Sequence, residues 1–362
     1  MSRQPRIRLS RSCSTRPSAG FTLIELMVAM VLGLIVIAGV TSVFLAGQQS
    51  FRTNNALADV EDGSRIAFEL MARDIREAGL YGCDNSSNRF ANLLNGGPSL
   101  WYADWGNAVH GYDDASTDAA LTVITSGKPI AGQPSLHILS AGSITASVSG
   151  APSSAAANLK INQPTNQLQT GDIIIVCSLQ GTDAHATMLQ ITNYNNSTIT
   201  VVHNSNNSGT NPSPGNCSKG LGYPPDCSSA VGNGYVFPPN SPIAKLTASD
   251  WYIGTNAAGG ASLYRLTLST GASGVSQTPQ EIVRNVCLPT DDPSCIGMQI
   301  TYLAGGSSYV SAATVTAAND WAAVDSVRVR LSLMSTFKRA SVNATPIVRT
   351  YSATTTVRNR VQ

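Results

Sequence analysis

From Leu26 to Ala46 the chain reads LMVAMVLGLIVIAGVTSVFLA, 21 positions without a charged side chain. No other feature constrains the fold as strongly. At a rise of about 1.5 Å per residue the run covers about 30 Å, the thickness of a bilayer's hydrocarbon core, so it predicts one membrane-crossing helix. Glu25 stands at its start, where a carboxylate is costly and tends to be functional. Two readings are open for it. In one, the side chain snorkels to the lipid headgroups and does nothing more. In the other, the chain is cut before Phe21, and Glu25 pairs with the freed α-amino group of a neighbouring copy staggered by about one helical turn.

The residues before this run favour the second reading. The first 20 positions hold Arg3, Arg6, Arg8, Arg11 and Arg16 and no acid. Removing them takes Lys plus Arg from 23 to 18 against 21 Asp plus Glu, and the formal charge from +2 to −3. Basicity is therefore a property of the leader. It orients the helix with the leader in the cytoplasm and gives no support to nucleic-acid binding. A secretory signal is cut after a short apolar core. Here the core is long and the cleavage point lies before it, at Gly20–Phe21, so the mature chain keeps its helix.

Beyond the membrane run, Leu57, Val60, Ala67, Met71, Ile75 and Ala78 recur at three- and four-residue steps, with the polar Ser64 the one exception on the stripe, and predict an amphipathic continuation. Glu61/Arg65 and Glu69/Arg73 are spaced as i,i+4 pairs, and Gly79 suits a helix stop with Leu80 making the accompanying apolar contact. The expected organisation is 1–20 as a cleaved leader, 21–46 as membrane helix, 47–80 as the amphipathic half of the same helix, and 81–362 as a β-rich periplasmic domain. Asp172–Cys177, Met188–Thr192, Thr198–His203, Trp251–Ile253, Leu263–Leu268, Val324–Leu333 and Pro346–Val357 read as strands. In Val324–Leu333, Val327, Val329, Leu331 and Leu333 face one way, with Arg328 and Arg330 opposite. Asn85–Ala120 reads as irregular, Ser140–Ala157 as surface loop, and the proline-rich Asn204–Pro239 as loop.

Gly20–Phe21–Thr22–Leu23–Ile24–Glu25 resembles the class III signal of type IV prepilins. That resemblance implies cleavage after Gly20 by an inner-membrane prepilin peptidase, N-methylation of Phe21, and a role for Glu25 in engaging the N-terminus of a neighbouring subunit. Arg65–Cys83, Gly171–Thr192, Ser262–Leu266, Gln280–Val286, Met298–Gly305, Tyr309–Val315, Val324–Ser335 and Val357–Arg360 resemble the PilW-like minor pilins. The resemblance implies an α+β, pilin-like fold: a long N-terminal helix packed on an antiparallel sheet, with disulfide-stapled loops. It also implies a structural function, a minor pilin that helps prime pilus assembly from a tip-proximal complex. The partners would be the prepilin peptidase, other minor pilins, the major pilin, a tip adhesin and the inner membrane. Two alternatives stay open: a type II secretion pseudopilin of the piston tip, and a membrane-anchored periplasmic binding module that never assembles.

Of the seven cysteines, Cys13 lies in the leader. Cys83, Cys177, Cys217, Cys227, Cys287 and Cys295 fall in an oxidising compartment and read as disulfides. The Cys217/Cys227 and Cys287/Cys295 spacings are too wide for the usual zinc pairs. Two local bridges are the preferred set, leaving Cys83–Cys177 to tie the helix end to the first long strand, although six cysteines allow about 15 pairings. No catalytic motif is found. His110, His137, His185 and His203 are scattered, and Asp113, Asp114 and Asp118 lack calcium-loop order and read as a solvated loop. The chain is expected to be no enzyme and to need no cofactor or metal. Trp101, Tyr102, Trp105, Trp251 and Trp321 read as core anchors.

Overall fold

A computed structural model describes residues 20–80, 89–150, 153–154, 156–178, 184–205, 212–341, 343 and 345–358. The chain divides into two compact units, Met1–Asn54 and Asn55–Gln362. One helix, α1 (Leu23–Glu77), contributes to both.

In the first unit α1 is apolar and solvent-facing from Leu26 to Ala46, a run long and apolar enough to cross a membrane. Its polar interruption at Ser42 is neutralised internally, because the hydroxyl donates to the Gly39 carbonyl at 2.8 Å. A satisfied hydroxyl is the form in which a serine is tolerated in hydrocarbon.

In the second unit α1 turns amphipathic. Ala56, Val60, Ser64, Ala67, Met71 and Ile75 are buried on one stripe, and the polar Ser64 donates to its own helix at the Glu61 carbonyl. Leu57, expected on the stripe, is half-buried beside it. The exposed ion pairs are Arg65–Glu69 at 2.8 Å and Arg73–Glu77 at 3.4 Å, rather than the acid-first pairs expected. Both sets have the same spacing, and exposed pairs differ by only a few tenths of a kcal/mol, about 0.2–0.5 per pair, so little discriminates between them. Gly79 takes the left-handed conformation, φ 70°, that ends the helix. Leu80 is exposed. The stop instead rests on backbone bonds to the neighbouring strand, from Gly79 N–H to the Leu139 carbonyl and from Ala141 N–H to the Leu80 carbonyl, both 2.7 Å.

The strands are β1 (Phe90–Asn92), β2 (Val109–Tyr112), β3 (Ser135–Gly150), β4 (Asn158–Ile161), β5 (Ile173–Cys177), β6 (Ala186–Gln190), β7 (Asn193–Asn195), β8 (Thr200–Val202), β9 (Pro242–Thr255), β10 (Ala261–Gly271), β11 (Gly274–Arg284), β12 (Met298–Ala304), β13 (Val324–Met334) and β14 (Val348–Thr356). A short helix, α2 (Ala312–Ala318), lies between β12 and β13. The large sheet runs β1-β6-β5-β9-β3-β4-β8-β7, with β2 on β3 and β10-β11 on β9. The small sheet is β12-β13-β14. Among the described residues these strands pair with one another antiparallel except at the parallel β1–β6 contact, so the large sheet is mixed and larger than the sheet implied by the resemblance. The fold is α+β.

The stripe of α1 packs against Leu136, Ile138, Trp251 and Ile253 of the large sheet and Val327, Val329, Leu331 and Leu333 of the small one, so the helix and both sheets share one core. β5 is buried on both faces: Ile173 and Ile175 point into a second cluster, Ile174 and Val176 into a third. The main departure from the sequence reading is in Ser140–Ala157, expected as surface loop, whose first part belongs to Ser135–Gly150. Its Ser, Ala and Gly content favours a loop, yet Ser135–Gly150 forms a 16-residue strand paired with β2, β4 and β9. Strand propensity is weak, and pairing on both flanks overrides it.

Candidate functional site: the N-terminal segment and the groups the fold buries

Gly20 and Phe21 are exposed, Phe21 at 83%. Thr22 caps the helix. Its backbone N–H and its hydroxyl both donate to Glu25 Oε2 at 3.0 Å, and the Glu25 N–H donates to the Thr22 hydroxyl at 3.2 Å. This is a reciprocal capping box, which satisfies amides at the first turn that a helix cannot satisfy for itself. It also places the Glu25 carboxylate at the positive end of the helix dipole. The T-x-x-E signature for it was present in the sequence, and the sequence reading gave Thr22 no role. The side chains from Phe21 to Leu45 form an apolar surface, with Leu34 67% and Val43 73% exposed.

Residues 15–41 match the family described as the prokaryotic N-terminal methylation motif. The chain carries a prepilin signal. That match supports a type IV pilin-like protein, and it implies processing by prepilin peptidase and association with pili in general. With the apolar helix near the N-terminus, it fits inner-membrane anchoring with the C-terminal domain outside. No curated protein and no solved structure matches the chain.

In the second unit Cys217 is bonded to Cys227 and Cys287 to Cys295, with Cα–Cα distances of 5.1 and 5.6 Å. Cys177 is also disulfide-bonded. Cys83 lies outside the described residues. The Cys287–Cys295 loop is docked on β13 by bonds from Cys287 N–H to the Ser332 carbonyl and from Ser332 N–H to the Gly297 carbonyl.

Two buried polar clusters escaped the sequence reading. The first fixes α1. Asp74, on the core side of the helix, accepts from Arg265 through two parallel bonds of 2.8 and 2.9 Å, from Trp251 Nε1 at 2.9 Å and from Ser249 at 3.0 Å. A carboxylate inside the helix stripe is thus fully paired with β9 and β10. Trp251 proves to be a core anchor with a polar handle.

The second cluster overturns the expectation that the histidines stay apart and that Asp118 is solvated. His137 on β3 and Asp250 on β9 are direct register partners, and His110 on β2 is the register partner of His137 on its other side. Asp118, fully buried, reaches the same point: its carboxylate lies 2.7 Å from His137 Nε2, with Asp250 at 3.4 Å. Asp118 is held by the Ala120 N–H and the Ser135 hydroxyl. Burial pushes the His137 imidazole towards neutrality, but the negative charges of Asp250 and Asp118 outweigh it and raise it to about 10. Burial raises Asp250 to about 7, whereas the contacts of Asp118 hold it below the usual carboxylate range despite its burial. The other two acids of the patch are structural. Asp113 accepts from the N–H groups of Ala312 and Ala313 at the start of α2, and Asp114 accepts from Ser116 and Gly132. Neither burial nor partnering was visible in the local sequence, because the partners lie far along the chain.

Proposed function

We propose that the chain is a PilW-like minor pilin, a structural subunit without catalytic activity that helps prime type IV pilus assembly within a tip-proximal complex. The observation that carries this reading is the exposed Gly20–Phe21 junction followed by a capped Glu25 at the head of a long apolar helix. After cleavage at Gly20–Phe21, the subunit waits in the inner membrane with its domain in the periplasm. Its partners are other minor pilins, the major pilin and a tip adhesin. The α-ammonium group of a neighbouring subunit is the cation that Glu25 accepts once the helices pack side by side in a water-poor filament core. The exposed apolar side chains suit lipid first and subunit neighbours later. The mixed sheet and its stapled loops form the head that such a complex presents.

The test is genetic and biochemical. Glu25→Ala is expected to be cleaved to the mature size yet to lower the number of surface pili. A strain that makes pili at normal number with this variant rejects the assembly role. Gly20→Leu is expected to retain the leader, seen as a larger product on a denaturing gel. Crosslinking to secretion-system pseudopilins in place of pilins would assign the chain to a secretion piston.

A further inference from the structure

Asp118, His137 and Asp250 meet inside the second unit, away from the processing segment. Each presents one ligand atom, and these atoms all lie within 4.8 Å of one another. Hydrogen bonding explains only part of the arrangement. Asp118 has its own donors in Ala120 N–H and Ser135. Both carboxylate oxygens of Asp250 are buried without a hydrogen-bond partner, as is the hydroxyl of Tyr252, two residues along the same strand. His137 Nε2 faces two carboxylates, but neither lies in a hydrogen-bonding direction. Buried polar groups are otherwise almost always hydrogen-bonded, and the 3.4 Å ion pair with His137 leaves the Asp250 carboxylate without a hydrogen bond.

The donor set points to one class of ion. One imidazole nitrogen and two carboxylates suit a borderline divalent ion such as zinc or manganese. Ligand atoms about 2.1 Å from such an ion, at angles of roughly 90–110°, stand about 3.0–3.4 Å apart. The His137–Asp250 separation of 3.4 Å already has that value, and the 2.7 Å His137–Asp118 separation needs to open by a few tenths of an ångström. A divalent ion would also cancel the two carboxylate charges with the imidazole neutral. We propose that Asp118, His137 and Asp250 form a structural site for a zinc- or manganese-class ion, which fastens the 113–133 segment to the large sheet. The rings of Trp101 and Tyr112 lie 5.1 and 5.3 Å from the His137 ring and close over it. The ion therefore enters as the domain folds and does not exchange readily afterwards.

The test uses the full chain, extracted in detergent without chelator from cells grown with added zinc or manganese, and analysed for bound metal. Close to one ion per chain is expected, resistant to dialysis against EDTA, with Asp250→Asn dropping to background and Asp114→Asn unchanged. Because Asp250→Asn risks misfolding, a second measurement uses the unaltered chain from cobalt-grown cells. Visible ligand-field bands of an ion held by one nitrogen and two oxygen side chains are expected. A folded chain with no bound ion, retention of calcium alone, absence of the cobalt bands, or a folded Asp250→Asn that keeps its ion would each overturn the site.

Discussion

Thr22 and Glu25 bind each other across the first turn of α1, each satisfying a backbone N–H of the other. Glu25 thus has a structural task in the isolated subunit besides the assembly role proposed for it. Thr22→Ala should loosen the first turn by about 1 kcal/mol, the usual cost of losing a cap. Thr22→Ser should be neutral. Hydrogen exchange of the amides at 22–25, measured in micelles, reads this directly. Equal protection in Thr22→Ala and the unaltered chain would show that the box does not hold the turn.

Asp74 is the joint between helix and sheet. Removing one partner of a buried pair leaves the other uncompensated and costs about 3–5 kcal/mol. Asp74→Ala should lose that much, since Arg265, Trp251 Nε1 and Ser249 all give up their acceptor. The double variant Asp74→Leu with Arg265→Met should recover much of the loss. Urea midpoints of the three proteins decide the matter; equal midpoints would mean the pair is solvated.

His203 makes the domain acid-sensitive. Its ring is buried with neither nitrogen partnered, and burial pushes it from 6.5 down to about 4. The neutral ring is the folded form, so the stability it permits is complete above about pH 6.5 and falls as pH drops towards 4. At roughly 1.4 kcal/mol per pH unit the loss reaches about 3 kcal/mol. His203→Leu should shrink the difference between melting curves at pH 7 and pH 4.5 without abolishing it, because burial also pushes His110 down to about 4. A variant as acid-sensitive as the parent would exclude His203 as the source.

The Cys217–Cys227 bridge closes a short loop. Replacing both cysteines by serine should cost about 2–3 kcal/mol, as expected for a loop of that length. Non-reducing peptide mapping, with the two residues recovered in one linked fragment, checks the pairing independently of stability.

What was legible in the sequence is what depends on composition or short periods. The membrane run is a matter of length and polarity, and the alternation of Val327, Val329, Leu331 and Leu333 reports a one-sided strand directly. β3 was illegible because its small residues carry almost no propensity and its strand state is imposed by β9. The sites at Asp74 and at Asp118, His137 and Asp250 were illegible for a different reason. They exist only through register, which sets His137 opposite Asp250 and Trp251 beneath the helix. The Thr22 box was the exception, a local signal available at four adjacent positions.

The 113–118 segment shows how such a domain tolerates evolutionary change. Asp113 holds the start of α2, Asp114 holds the turn at Gly132, and Asp118 holds the sheet beside Ser135. Three attachments within six residues make this stretch a ruler. Ser116 and Thr117 are exposed, and the Thr117 hydroxyl donates back to the Asp114 carbonyl at 2.7 Å. The number of residues is not free, because inserting or deleting one between Asp113 and Asp118 would pull at least one end off its anchor.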